Sequence, residues 1–419
     1  MLRLLKLIIA SLCFCGIVMP VSAQTIYDLQ KALQTARANN PILKSEAMNI
    51  GVAETDITTA KLRPNLMFNT QDLQLVQSRN FAPNTQWNNN RNNQLWFQLT
   101  KQFQIPTVRQ NKISVARKGV ALQQNLYNET ERNLFQDVAN KWLDVWAAQK
   151  ELEILQQAKN NIDTLVAINK ERLKNQVITQ TDFSRTELLA NSYAMQIKTA
   201  NQLYKTELAN LKFMLGERDE IDVDTSENFR TSLSDKLDSL LEEALAQRSD
   251  IRAYQASIDV ANSNIKLQKS LAIPTPELGV IYNPQNTIQY VGFYGTIALP
   301  FFSRNQGEIQ KAKLLKSQAE QDLKTSQTQL QTELTNAYNN YETDKQNLQN
   351  FTSLLAQSET ILSSVKYSYL RGGTTLIDFL EAQRSWLDTR QHYYQTMQQY
   401  RQSYIKLLYA SGLINKIAQ

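Results

Sequence analysis

Residues 107–174 read TVRQNKISVARKGVALQQNLYNETERNLFQDVANKWLDVWAAQKELEILQQAKNNIDTLVAINKERLK, with no proline and a single glycine, Gly119. Nothing in the stretch forces a helix to stop. At 1.5 Å per residue it makes a rod of ~100 Å, several times the length of an ordinary globular helix. A rod of that length must bury a stripe along a neighbour. Val145, Ala148, Leu152, Leu155, Ile162 and Val166 fall at the heptad spacing of a coiled coil. The neighbour comes after a tight turn. Over 180–215, Tyr193, Ile197, Ala200, Tyr204, Leu208, Leu211 and Leu215 step by fours and threes.

Upstream of the rod the period changes to two. In Gln94–Ile105 the odd positions Leu95, Phe97, Leu99, Phe103 and Ile105 are apolar, apart from Lys101. The even positions Gln94, Gln98, Thr100, Gln102 and Gln104 are polar, apart from Trp96. That is a strand with one apolar face. A second strand is expected over 65–77; its alternation through Leu66 and Phe68 slips near Asp72, where a bulge or an end is expected. Between the two lies Asn84–Asn93, an asparagine-rich loop.

The same order of elements returns in the second half. Asp182-Phe183 recurs as Asp378-Phe379, Tyr204 as Tyr400, and Met214-Leu215-Gly216 as Ala410-Ser411-Gly412, all at an offset of 196. Leu29–Leu33 is answered by Leu241–Leu245. Phe103–Pro106 is answered by Ala298–Pro300. The chain thus reads as two repeats, 24–216 and 237–419, joined by an acidic, aperiodic linker over 217–236. Each repeat carries a first helix (28–62; 237–270), two strands (65–77 and 93–105; 276–283 and 288–299), a long helix (107–174; 303–370) and a last helix (180–215; 375–411). In the final helix Trp386, Arg390, Tyr393, Met397, Tyr400, Tyr404 and Leu407 keep the heptad step.

Met1–Ala23 has the form of a secretory signal: Arg3 and Lys6, an apolar core over Leu7–Val18, and small residues at Val21-Ser22-Ala23. Both cysteines, Cys13 and Cys15, fall inside it, and the rest of the chain carries one histidine, His392. A structural zinc site, a thiol nucleophile and a disulfide framework are therefore not expected. No cofactor motif or nucleophile–base pair is visible either, and the expectation is a protein that is not an enzyme. The net charge of +6 falls to +4 without Arg3 and Lys6, and no Lys/Arg-rich run points to nucleic acid.

No apolar stretch of 18 residues follows the signal, so membrane crossing requires strands in a closed barrel. Phe68, Phe81, Trp87, Trp96, Tyr282, Tyr290 and Tyr294 lie where interfacial girdles would sit. Alternation alone fits a small soluble sheet equally well. Four strands cannot close a barrel, and open edges are forbidden in lipid. Two chains would supply eight strands around a filled interior, and three would supply twelve around a lumen.

The whole layout resembles the TolC-like outer-membrane efflux protein family. The clearest local match is Tyr369–Gln383, YLRGGTTLIDFLEAQ, which is similar to the family's second-repeat turn. The first-repeat turn, Arg172–Asp182, matches less well. The compact length is similar to the family's heavy-metal efflux branch.

The resemblance implies a mainly α protein with a membrane β part: a homotrimer with a long α-helical tunnel and one 12-stranded barrel in outer-membrane lipid. It implies a periplasmic adaptor and an inner-membrane pump of RND type as partners. It also implies that Asp378 and Glu381 form an acidic pore constriction, and that Asp182 and Tyr369 hold neighbouring coiled coils together when the tunnel is closed. The adaptor would dock at the turns Gln176-Val177 and Gly372-Gly373. Two positions depart from the family pattern: Gln176 stands for a glycine, and Thr374 for a basic residue, with Arg371 three residues earlier. Asp378 also has a simpler reading, as an acid at a helix N-terminus. The competing function is a soluble periplasmic coiled-coil adaptor, which accounts for the heptads and leaves the strands unexplained.

Overall fold

The computed structural model describes residues 25–225, 233, 236–284 and 288–418. The expected signal over 1–23 and parts of the linker and of the 284–287 turn lie outside them. In chain order the elements are β1 (Thr25–Tyr27), α1 (Leu29–Asn39), α2 (Pro41–Lys61), β2 (Leu66–Gln74) and β3 (Asn93–Gln102). Then come α3 (Pro106–Lys174), α4 (Gln180–Leu215), β4 (Ile221–Val223), α5 (Leu237–Gln247) and α6 (Ser249–Leu271). The last four are β5 (Glu277–Asn283), β6 (Tyr290–Thr296), α7 (Gln306–Leu370) and α8 (Leu376–Ala410).

The two rods are single helices of 69 and 65 residues. Toward the turns, α4 lies on α3, α3 on α8, and α8 on α7. Toward the strands, α2 lies on α3, α3 on α6, and α6 on α7. Each level is therefore an open strip of four helices. The edges of the lower strip are α4 and α7, and each carries exposed apolar residues seven apart: Leu188 and Met195 on α4, Leu354 and Ile361 on α7.

The strands form one antiparallel sheet in the order β2-β3-β5-β6, also with two open edges. Lys101↔Leu278, Leu99↔Val280 and Phe97↔Tyr282 place one apolar face in register, continued by Phe68 on β2 and Phe293 on β6. No helix covers that face: Phe293 is 95% exposed, Val291 80% and Phe68 66%. The other face (Asn69, Gln98, Thr100, Ile281, Tyr294) is less exposed on β3, β5 and β6, with Thr100 buried. A soluble sheet would leave its polar face to water. Here the apolar face is the open one, which is the pattern of a lipid-facing barrel wall.

Four expectations need correction. First, of the bulge or end expected near Asp72 only the end is found: β2 keeps unbroken register from Leu66↔Lys101 to Gln74↔Asn93 and stops there. The phase change is chemical: Thr70 and Asp72 stand on the apolar face near the strand's end. Second, the first helix of each repeat is two helices. The breaks fall at Asn40, whose side chain accepts from the amides of Ile42 and Leu43, and at Arg248.

Third, the segment over 217–236 is not featureless. Its β4 pairs in parallel with β1, burying Ile221 and Val223 against the core, and the Trp142 indole donates to the Tyr27 carbonyl (3.0 Å). Two three-residue strands are too short to show a period. Fourth, the strands are shorter than expected, ending where pairing ends, whereas the final helices run over 180–215, as expected, and over 376–410, one residue shorter at each end.

The main core lies at mid-height, where α1, α5, β1 and β4 pack around the middle of α3 and the ends of α4 and α8; Phe135, Trp142 and Trp146 are its largest buried side chains there. A second cluster lies toward the turns, joining Ile154, Leu155, Ile162 and Leu165 of α3 to Tyr193 of α4 and to Phe379, Trp386 and Leu387 of α8.

Candidate functional site at the far end of the paired helices

The α3–α4 and α7–α8 turns are built alike. At the first, the amides of Gln176 and Val177 donate to the carbonyls of Leu173 (2.9 Å) and Arg172 (2.8 Å). At the second, those of Gly372 and Gly373 donate to Tyr369 (3.1 Å) and Ser368 (2.8 Å). Each pair of bonds satisfies helix-end carbonyls, and the motif requires one left-handed residue. Gly372 supplies it at φ 76°, and Gln176 occupies the same conformation at φ 57°. The glycine missing from the sequence is thus not missing from the geometry. Val177 stands 67% exposed at the turn.

Both following helices open with a capping box. The Thr179 hydroxyl accepts from the Asp182 amide (3.1 Å), and the Asp182 carboxylate accepts from the Thr179 hydroxyl (2.8 Å) and amide (3.4 Å). In the second repeat the Asp378 amide donates to the Thr375 hydroxyl (3.2 Å). A single oxygen of Asp378, Oδ2, accepts from the Thr374 hydroxyl (2.6 Å), the Thr375 hydroxyl (2.7 Å) and the Thr375 amide (3.1 Å). These bonds, the Thr374 hydroxyl first, hold the carboxyl below the usual carboxylate range. Asp378 is therefore first a helix cap, with Oδ1 left to the solvent. The Thr-x-x-Asp spacing is a sequence signal for this cap that the heptad reading passed over.

Glu381 lies one turn further on, exposed, with no ion-pair partner among the described residues. The structure does not bring it into contact with Asp378. Arg371, the basic residue nearest the turn, stacks on Tyr367 (4.1 Å) instead of reaching the acids.

Tyr369 is buried between the two coiled coils of one chain. Its hydroxyl donates to Asn169 Oδ1 (2.8 Å), whose amide donates to the Thr186 hydroxyl (3.0 Å), which in turn donates to the Asp182 carbonyl (3.0 Å). Arg172 covers the Tyr369 ring at 4.6 Å and donates to the carbonyls of Tyr369 (3.2 Å) and Leu370 (3.0 Å). The chain links Tyr369 to the backbone of Asp182 within one chain and leaves the Asp182 carboxylate to its own cap. Asn169 and Thr186 were not singled out in the sequence. Asn169 falls seven residues after Ile162, a polar residue in an apolar heptad position, and that was the available signal.

Comparison with known proteins bears on this geometry. The sequence profile of the family described as Outer membrane efflux protein matches residues 32–217 and 240–413. A proteases secretion protein, PrtF, of Dickeya chrysanthemi is 21% identical over 323 residues, covering 72% of this chain and 68% of that protein. The outer membrane protein VceC of Vibrio cholerae superposes with a TM-score of 0.71 at 16% identity, over 92% of this chain and 96% of that one. The open state of the Neisseria gonorrhoeae MtrE outer membrane channel superposes at 0.73 and 16% identity, over 93% and 90%. These structures are similar in fold across nearly the whole chain, and the profile covers both repeats. The chain belongs to the outer membrane efflux protein family, as an outer-membrane channel-tunnel with a long periplasmic portion.

Proposed function

We propose that three copies of this chain form a passive duct, opened by a periplasmic adaptor and driven by an inner-membrane pump of RND type. The observation that carries the reading is the pairing of a bare, apolar-faced sheet with open strips of long helices. Every level has two free edges, β2 and β6 in the sheet and α4 and α7 in the lower strip. One cyclic assembly satisfies both at once. Three copies give twelve strands and a lumen, where two would give a filled eight-stranded barrel.

The two repeats, 24–216 and 237–419, with 217–236 between them, supply two coiled-coil hairpins per chain and six per trimer. The turns Gln176-Val177 and Gly372-Gly373 end those hairpins and are the adaptor-docking points. Glu381, with the free oxygen of Asp378, forms the constriction, where carboxylates attract cations and repel one another. Tyr369 and Asp182 secure the closed arrangement.

Fractionation tests the placement: the protein is expected in the outer membrane, and recovery only from the soluble periplasm overturns it. A deletion strain grown against metal ions, dyes and antibiotics, and assayed for secreted proteases, identifies the cargo. Sensitivity confined to metals assigns the duct to a metal exporter, sensitivity to amphipathic drugs to a multidrug exporter, and lost protease secretion to a protein-secretion system.

A further inference from the structure

The two rims of the sheet differ in charge. All four passages between helix and strand fall at one rim, within 61–66, 101–112, 266–277 and 296–306. These stretches hold eight lysines and arginines against one acid, Glu277. The connections at the other rim, 72–93 and 283–290, hold Arg79 and Arg91 against Asp72. The helix-side rim is strongly basic and the opposite rim is nearly neutral.

Neighbouring acids do not cancel this charge. Asp259 pairs with Lys118 (2.7 Å) and Glu308 with Lys311 (3.7 Å), and Glu277 lies across from Gln102 on the polar face. Arg109 is spent on the Lys61 carbonyl at the end of α2 (2.9 and 3.0 Å), and Arg304 donates through Nε to the Pro300 carbonyl (3.1 Å). Lys61, Arg63, Lys101, Lys269 and Arg304 have no ion-pair partner among the described residues. Each of the four passages contributes at least one of them.

Lys101 fixes the direction of this charge. It stands across from Leu278 on the bare apolar face, between the exposed Leu99 and Phe103. The Phe103 amide donates to the Pro276 carbonyl (2.9 Å), so pairing continues past the end of β3. Because β3 has β2 and β5 on its two sides, a second copy added at a sheet edge does not cover Lys101. A lysine there lays its stem along lipid-facing neighbours and puts its ammonium at head-group level. The other cations also have exposed apolar neighbours: Leu62 between Lys61 and Arg63, Ile273 after Lys269, and Phe302 before Arg304. Cations beside bare apolar side chains match the boundary between acyl chains and phosphates, whereas a nucleic acid or an acidic protein would leave the apolar groups in water.

We propose that these residues form a basic collar that binds acidic phospholipids of the periplasm-facing leaflet, with Lys101 on the barrel wall at its centre. The helices are periplasmic, so the rim where they join the strands meets that leaflet. The collar then sets how deep the barrel sits, holding its lower rim at the phosphates. The proposal rests on the lipid-facing assignment of the sheet and is independent of the constriction and of the cargo.

The test reconstitutes the purified, intact assembly into phosphatidylcholine vesicles with a minor share of phosphatidylglycerol, re-extracts it mildly and measures the ratio of the two lipids it retains. The wild-type protein is expected to retain phosphatidylglycerol severalfold above its share in the vesicles at low salt, and to lose the enrichment at high salt. K61Q/R63Q/K101Q/K269Q/R304Q should bring the ratio down to that of the vesicles, while R79Q/R91Q at the other rim should leave it enriched. Enrichment that survives the collar variant, or that is lost only in R79Q/R91Q, overturns the proposal. Should the collar variant fail to assemble, the wild-type protein decides alone: a retained ratio equal to that of the vesicles, or one indifferent to salt, overturns the collar. Failure to enter vesicles of either lipid would overturn the lipid-facing assignment as well.

Discussion

Gln176 holds the left-handed conformation that Gly372 holds in the other turn. For a residue with a Cβ this costs about 1–2 kcal/mol. Replacing Gln176 by Gly is therefore expected to stabilise the first turn by up to about 1 kcal/mol, the gain reduced by glycine's freedom in the unfolded chain. Gly372→Gln should cost a similar amount. Hydrogen exchange at the two turns checks both: slower at 176–178 in the first variant, faster at 372–374 in the second.

Asp378 gives a prediction in pH. Its folded carboxyl titrates below the unfolded value, so the cap's contribution is fully present above the ordinary carboxylate range. It is lost as pH falls through the depressed folded value. The second turn should stay protected at pH 5 and loosen only in strong acid, and Asp378→Asn should remove that acid transition. A transition unchanged in the variant contradicts the assignment. At this scale the sequence identified the acids and the turns correctly as places. The Thr-x-x-Asp spacing signals the Thr375 cap, but that the same oxygen also takes the Thr374 hydroxyl depends on turn geometry, which residue spacing does not record.

Among elements, the clearest lesson is at the breaks within the first helix of each repeat. Asn40 donates to the Met214 carbonyl (2.8 Å) and Arg248 to the Ala410 carbonyl (3.0 Å), so each break residue caps the final helix of its own half. Those carbonyls are themselves repeat-equivalent, at the offset of 196. Arg248 also pairs with Asp250 (2.6 Å) and Glu333 (3.0 Å) with its side chain 5% exposed. Burial alone would lift Asp250, but the Arg248 hydrogen bonds hold it below its ordinary value.

Arg248→Met should cost about 3–5 kcal/mol, because it removes the ion-pair partner of Glu333, leaves Asp250 only the longer contact to Arg132 (3.8 Å), and strands a helix-end carbonyl. The expected sign is a lower thermal midpoint of the helical signal. A shift near zero would show that water replaces the guanidinium. Periodicity revealed the long helices and their pairing, since a heptad over dozens of residues averages out local exceptions. It ran straight through Asn40 and Arg248 because both breaks are made by contacts with residues some 160–175 positions away.

At the level of the whole molecule, the duplicated order of elements was readable from a handful of matched residues, and it carried the architecture with it. What alternation could not settle was which solvent the sheet faces. That answer needed the bare apolar face of Phe68, Val291 and Phe293. The free edges of the strips make the assembly testable. Leu188→Glu with Met195→Glu puts two charges into the exposed apolar stripe of α4 and should block assembly while leaving the helical content of one chain unchanged. Loss of helicity along with assembly would instead mean that the stripe belongs to the fold of the single chain.

The most direct measurement of the central claim is the number of chains in the purified, detergent-solubilised particle, by light scattering corrected for bound detergent. The account predicts three, the number that closes four-stranded sheets around a lumen. One chain, or two, would contradict it.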